Sequence, residues 1–302
     1  MPPGADRSNV LVTGSEGLIG SALARALASS GWTVRRCDLS CAGTDRVDVT
    51  DAARLLAHAH GCVGIVHLAA VSRVAWGEQR PEECWRTNVG GSANALQCAL
   101  SLPQSPWVIL ASSREVYGQA EQLPAHEETP LAPLNVYGRA KVEAERQCWL
   151  ARDAGARVAV LRLSNVYGSL QDHSDRVIPA FARAAAFGGV LRLDGPDCQF
   201  DFTHVDDAVD GIVATIRALE GGERDLPPIH LVTGRATSLR ELAAMAIASG
   251  AGKTEVQEGE RRDYDVSRFW GDPSRARRLL GWQAKVGIEQ GVRAMVEGFA
   301  RQ

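Results

Sequence analysis

Long basic runs, closely spaced cysteine pairs and apolar stretches of membrane-crossing length are all missing from this sequence. Without clustered Lys and Arg, and with a formal charge of -3, no surface stripe is expected to track a phosphate backbone, which argues against nucleic acid as a partner. The seven cysteines (37, 41, 62, 84, 98, 148 and 198) are odd in number and none belongs to a CxxC pair. They sit in apolar or helical stretches such as Leu96-Gln97-Cys98-Ala99-Leu100, so reduced, buried thiols are expected, with neither a disulfide framework nor a metal site. Apolar runs fall well short of the roughly 18–20 residues that cross a bilayer. The segment from Met1 to Arg7 lacks the apolar core of a secretion signal, so a cytoplasmic protein that binds no membrane is expected.

What is present is an ordinary globular composition, 45% hydrophobic and 23% charged over 302 residues, enough for one large α/β unit or a nucleotide-binding domain with a smaller lobe. The first half alternates short β-rich runs with amphipathic stretches. Strands are predicted at 9–12, 33–37, 64–68, 107–111 and 158–163, and helices at 18–29, 52–60, 89–102 and 136–154. That alternation predicts a Rossmann-type, doubly wound parallel sheet with right-handed crossovers. After about residue 168 the pattern loosens, with helices expected at 177–187, 202–219, 238–249, 273–280 and 287–301 and strands at 190–193 and 228–232. The expected division is a nucleotide-binding domain over 1–168, with a return segment at about 202–235. An interleaved C-terminal substrate lobe takes 169–201 and 236–302.

Gly14, Gly17 and Gly20 fall between the first strand and the first helix. Residues without Cβ let the backbone approach a pyrophosphate there, and the helix amino terminus offers N–H donors and a positive dipole end. Asp38 follows the second strand, about 20 residues on, where a carboxylate can accept from a ribose 2′-hydroxyl. It would repel a 2′-phosphate, which favours NAD over NADP. Arg35 and Arg36 could each neutralise such a phosphate and keep NADP open.

Tyr137 and Lys141 stand four apart on a predicted helix and so share one face. An ammonium there favours the phenolate and lowers the tyrosine pKa from about 10, so that Tyr137 could take a proton from an alcohol and return it. Ser112-Ser113 ends the predicted strand at 107–111, at the carboxyl edge where ligands bind in such sheets, and a hydroxyl there can bond the reacting oxygen.

Thr13-Gly14-x-x-Gly17-x-x-Gly20, His67-Leu68-Ala69-Ala70, Asn88-Val89-x-Gly91, Ser112-Ser113-x-x-Val116-Tyr117-Gly118, Tyr137-x-x-x-Lys141 and Arg162-x-x-Asn165-Val166-Tyr167-Gly168 occur in that order. Together they resemble the extended short-chain dehydrogenase/reductase family, the NAD-dependent nucleotide-sugar epimerases and dehydratases. The resemblance runs on through Asp201-Phe202-x-x-Val205-Asp206-Asp207 to Leu280-Gly281-Trp282. It implies that Gly14, Gly17, Leu18 and Ile19 cradle the pyrophosphate of NAD and that Asp38 holds its adenosine ribose. Asp48-Val49 would contact adenine, Leu68, Ala69 and Ala70 would line the cofactor, and Lys141 would also reach the nicotinamide ribose. Tyr137 would be the base, with Ser113 as its partner. Asn165 would contact a nucleotide-diphosphate sugar and Arg262 would bind its diphosphate. His67 and Asn88 are expected to hold the turn and helix rather than touch substrate. By analogy two protomers pair as a homodimer.

Two departures bear on the reaction. Many relatives carry an arginine immediately before the Asp-Phe pair, where this chain has Phe200, so one diphosphate contact is missing or supplied elsewhere. Dehydratases of the family often follow the serine pair with Asp-Glu as acid and base; here the residues are Arg114 and Glu115. Glu115 fits the base, while Arg114 cannot replace the acid. The leading expectation is a 4-epimerase acting through a transient 4-keto sugar. The alternatives are a dehydratase or decarboxylase with Glu115 as base, and a non-catalytic dinucleotide sensor.

Overall fold

The computed structural model describes residues 9–302, so the reading of the segment from Met1 to Arg7 lies outside it. The first half repeats strand and helix: β1 (Asn9–Thr13), α1 (Leu18–Ser29), β2 (Thr33–Cys37), α2 (Ala52–Ala59), β3 (Cys62–His67), α3 (Val74–Gln79) and α4 (Pro81–Trp85). A π-helical turn, Arg86–Gly90, runs into α5 (Gly91–Ser101). Then come β4 (Trp107–Ser113), a 3₁₀ turn at Arg114–Tyr117, α6 (Val136–Asp153) and β5 (Val158–Leu163). The second half holds β6 (Asn165–Tyr167), α7 (Val177–Phe187), β7 (Gly189–Asp194), β8 (Gln199–Phe200), β9 (Phe202–His204), α8 (Val205–Glu220) and β10 (Ile229–Leu231). It closes with β11 (Thr237–Ser238), α9 (Leu239–Ser249), β12 (Thr254–Gly259), β13 (Arg268–Phe269), α10 (Ser274–Leu280) and α11 (Ile288–Ala300).

Six strands form one sheet in the order β2-β1-β3-β4-β5-β10, with β1 parallel to both β2 and β3, and β3 parallel to β4. This is the expected Rossmann-type sheet. Its inner strands β1, β3, β4 and β5 are largely apolar and buried because helices cover both faces; Val10, Leu11 and Val12 of β1 are fully buried. The order places a switch point between β1 and β3, and the crevice at the carboxyl ends of those strands is where such sheets bind ligands. The glycine turn follows β1 directly.

The chain divides into two compact units. The first runs to Val116 and adds Asn135–Arg162 and Ile212–Ile229; the second holds Tyr117–Leu134, Leu163–Gly211 and His230–Gln302. The boundaries differ from the expected ones: 117–134 and 163–168 group with the second unit, and only 212–229 of the expected return segment groups with the first. The first unit's core joins Leu11, Leu55, Ile65, Leu96, Val108 and Val160. The second packs Phe181, Leu193, Leu242, Val292, Met295 and Phe299. Helix α11 buries Ile288, Val292, Met295, Val296 and Phe299, one apolar stripe at helical spacing. Helix α9 begins in a capping box in which Ser238 and Glu241 satisfy each other's amides.

Residues 202–204 are strand β9 rather than the predicted first turn of a helix, and α8 starts at Val205. The short strands β6, β8, β11 and β13 hold only two or three residues each, too few to show a period of two. Within this unit two motif aspartates act as fixtures. Asp201 is fully buried and accepts from the Thr233 amide and hydroxyl, both at 2.9 Å, and from the Gly234 amide at 2.8 Å. Asp207 accepts from the amides of Lys285 and Val286, while its carbonyl accepts from Trp282 Nε1. The Val205-Asp206-Asp207 and Leu280-Gly281-Trp282 motifs are thus two halves of one contact. Asp207→Ala strips two amides of their acceptor and is expected to cost about 2–3 kcal/mol in urea unfolding. Its exposed neighbour Asp206, changed to Ala, should shift stability by no more than about 0.5 kcal/mol.

Candidate active site

The glycine turn is built around contacts that no side chain could share. Gly14 has φ +68°, and a Cβ there would sit 2.7 Å from the Ala69 amide nitrogen. A Cβ on Gly20 would lie 2.0 Å from the Gly14 carbonyl oxygen, so only glycine lets α1 pack onto the turn. Gly14 donates to the Cys37 carbonyl at 2.8 Å, tying the turn to the end of β2. Gly17 caps α1 without any side-chain bond to the first-turn amides, so Leu18 and Ile19 begin a helix whose leading N–H groups are open to an anion. Leu68 and Ala69 are held beside the turn by bonds to Thr13, at 3.2 Å to its carbonyl and 3.2 Å to its hydroxyl. This cradle fits the pyrophosphate of a dinucleotide.

Asp38 directly follows β2. Its carboxylate accepts from the Glu16 amide at 3.1 Å and the Ser40 amide at 2.9 Å, and an ionised carboxylate has acceptor capacity beyond those two. The two arginines before it have other work. Arg35 Nη1 donates to the carbonyls of His58 and His60, each at 2.7 Å, and Arg36 Nη1 pairs with Glu16 at 2.6 Å. Both heads are engaged, which removes the reason for keeping NADP open. Asp48 closes a local turn by accepting from Thr50, and the Val49 carbonyl accepts from Asn94. Ala70 follows Ala69 with a half-buried side chain. His67 and Asn88 have the structural roles expected: His67 Nδ1 bonds the Thr13 hydroxyl, and Asn88 makes two bonds to the Val71 backbone.

Ser113 at the end of β4 and Tyr137 and Lys141 on α6 are all in the first unit. Lys141 is buried; its Nζ donates to the Ala111 carbonyl at 2.8 Å and lies 5.8 Å from the centre of the Tyr137 ring. The next turn of α6 brings Glu145 beneath the strand end. It accepts the Ser112 hydroxyl at 2.5 Å and a two-pronged Arg162 guanidinium at 2.9 and 2.6 Å. Ser113 Oγ accepts from the Glu115 amide at 3.2 Å, leaving the hydroxyl proton to donate elsewhere.

Glu115 is buried with both oxygens engaged: Oε1 pairs with Arg114 at 2.9 Å and Oε2 accepts from Asn135 Nδ2 at 2.8 Å. Asn135 is the N-cap of α6 and accepts the Gly138 amide at 2.8 Å, while Glu78 accepts the Val136 amide at 2.7 Å. Sequence reasoning passed over Asn135 and Glu145. Asn135 carried a readable signal, an N-capping residue directly before a helix; Glu145 carried only its place one turn beyond Lys141. The remaining candidates belong to the second unit. Asn165 pairs with Phe202 across β6 and β9, Phe200 is half-buried on β8, and Arg262 is exposed in the loop after β12. Among the described residues, no group of three His, Cys, Asp or Glu could hold a metal, and no helix is long and apolar enough to cross a membrane.

The sequence pattern of the NAD dependent epimerase/dehydratase family matches residues 10–226. The chain is 32% identical to a UDP-glucose 4-epimerase of Mycolicibacterium smegmatis, over 96% of this chain and 97% of that one. It is 27% identical to UDP-glucuronic acid decarboxylase 1 of Danio rerio, over 98% of this chain and 74% of the relative. The solved UDP-glucose 4-epimerase of Brucella ovis, in complex with NAD, superposes with a TM-score of 0.88 at 30% identity, over 97% of this chain and 98% of that one.

Burial pushes the Lys141 ammonium down to about 8, against the pull of nearby Cys84 and Glu145. An unfolded lysine holds its proton to 10.5, so between those values the unfolded chain binds more protons and stability rises with pH. Below about 8 the whole cost of the buried charge is present. Without added cofactor, Lys141→Met is therefore expected to be more stable than the parent at pH 7, by up to about 3 kcal/mol. The advantage should vanish by about pH 10.5. Thermal unfolding of both proteins across that range is the check, and a methionine variant less stable at pH 7 would contradict it.

Proposed function

The chain belongs to the NAD dependent epimerase/dehydratase family, the nucleotide-sugar epimerases, dehydratases and decarboxylases, and on that premise we propose that it is a nucleotide-sugar 4-epimerase. The observation that carries this reading is the state of Glu115. Both of its oxygens are bonded, to Arg114 and to Asn135, and Arg114 is a guanidinium, a donor with no acid to match the one a dehydratase uses there. Elimination or decarboxylation of the sugar asks for a further acid or base besides the tyrosine that takes the hydroxyl proton. In this reading Tyr137 alone moves a proton, which suffices for reversible oxidation at one carbon.

Gly14, Gly17, Leu18 and Ile19 hold the pyrophosphate, Asp38 the adenosine ribose, and Asp48 and Val49 the adenine edge. Leu68, Ala69 and Ala70 line the nicotinamide half. NAD, when bound, supplies a reversible hydride acceptor beside the sugar. Tyr137 Oη takes the proton of the 4-hydroxyl, Ser113 Oγ donates to the same oxygen, and buried Lys141 stabilises the charge that Tyr137 carries. Once the 4-keto sugar has turned its other face, Tyr137 returns the proton to the oxygen while the hydride that NAD would have taken up comes back to that face of the carbon, and the opposite configuration results. Asn165 and Arg262 are assigned to the nucleotide-diphosphate part of the substrate. Phe200 leaves an apolar surface where an arginine would have offered a second diphosphate contact.

Incubation with a panel of nucleotide sugars should give a product of unchanged mass and inverted configuration at C4. Loss of water or of carbon dioxide would overturn the assignment. Tyr137→Phe is expected to lower kcat by about 10²- to 10⁴-fold while NAD affinity, read by fluorescence titration, stays within about twofold. A phenylalanine variant with parental turnover would contradict the role given to Tyr137, and a parent without turnover on any sugar of the panel would point to a dinucleotide sensor instead.

A further inference from the structure

Glu115 is bonded both to Ser113 and to Asn135, the residue that caps the helix carrying Tyr137. Its backbone N–H reaches Ser113 Oγ at 3.2 Å, and its side chain reaches Asn135 at 2.8 Å. Asn135 is fully buried and caps the first turn of α6, in which Tyr137 lies between the cap and Gly138. We infer that Glu115 is a positioning residue that sets Tyr137 in register with Ser113, acting through the side-chain amide of Asn135. The inference rests on the epimerase reading, because it removes Glu115 from proton transfer.

The chemistry of the amide explains why an acceptor oxygen is needed at residue 115. An asparagine side chain has a donor end and an acceptor end, and turning it over exchanges them. A carboxylate can only accept, so Glu115 compels Nδ2 to face it and leaves Oδ1 directed at the Gly138 amide. With that orientation fixed, the first turn of α6 has one arrangement. Arg114 pairs with the other oxygen of Glu115, which offsets the cost of burying the charge. Glu78 tethers the Val136 amide from α3, so the turn is held on both sides of Tyr137.

Three variants test this. Glu115→Gln keeps an oxygen that can accept from Asn135 and is expected to retain kcat within about threefold. Glu115→Ala and Asn135→Ser both cut the link; each should lower kcat by on the order of 10- to 100-fold, the cost of a misplaced reacting group, with KM within about twofold. Serine still caps a helix, so Asn135→Ser separates the loss of the link from loss of the fold. Combining Glu115→Ala with Asn135→Ser should add little, since the two act in series. Amide exchange at Gly138, measured without substrate, should quicken in Glu115→Ala and not in Glu115→Gln. Two results would overturn the inference: a glutamine variant as impaired as the alanine one, which would make Glu115 a proton carrier, or an alanine variant with parental kcat. Failure of the epimerase reading would show separately, as a parental product lighter by water or carbon dioxide.

Discussion

The bond from Lys141 Nζ to the Ala111 carbonyl, 2.8 Å long and shut away from water, ties helix α6 to the carboxyl end of strand β4. Everything chemical in the first unit is arranged around that tie. A lysine brought this deep pays a large desolvation cost, visible in its lowered proton affinity. Such a cost persists where the charge has a task, and here the ammonium stands beside the Tyr137 ring. One turn along, Glu145 joins α6 to Ser112 on β4 and to Arg162 on β5, so the helix is fixed to two neighbouring strands by buried polar bonds. Those bonds fix the helix that carries Tyr137 against the strand that ends in Ser113.

The cofactor half of the unit obeys a different constraint, close approach of backbone to backbone. Gly14 and Gly20 are forced by contacts with Ala69 and with the turn itself, independent of any ligand. The same packing leaves the start of α1 uncapped by any side chain. A turn that must pack this tightly and also offer open amides is well suited to a pyrophosphate, and the family membership of the chain agrees with that use. The carboxylate at Asp38 and the engagement of Arg35 and Arg36 elsewhere make the choice of NAD a local electrostatic matter.

Much of this was legible in the sequence because it is periodic or spaced. Helix α1 spans the predicted 18–29, and the parallel sheet follows from five apolar runs separated by amphipathic stretches. The spacing of Tyr137 and Lys141 placed both on one helical face, where the structure has them. What stayed hidden depended on contacts between distant segments. Helices α3 and α4 are six and five residues long, too short for a clear period, and the strands of the second unit are shorter still. Glu115 was visible as an acidic residue after the serine pair, but nothing in the chain near it announced Asn135, twenty positions on, as its partner. A buried carboxylate reads as a base in sequence, while its bonds to Arg114 and Asn135 are visible only in the structure.

The central claim is that Tyr137 alone exchanges a proton with the sugar, and only at oxygen. Turnover in D2O tests it directly. Epimerisation at C4 returns the same carbon-bound hydrogen to the ring, so the account predicts an inverted product with no deuterium on any carbon. Deuterium at C5 or C6 would require a second proton-transfer group acting on carbon and would contradict the account.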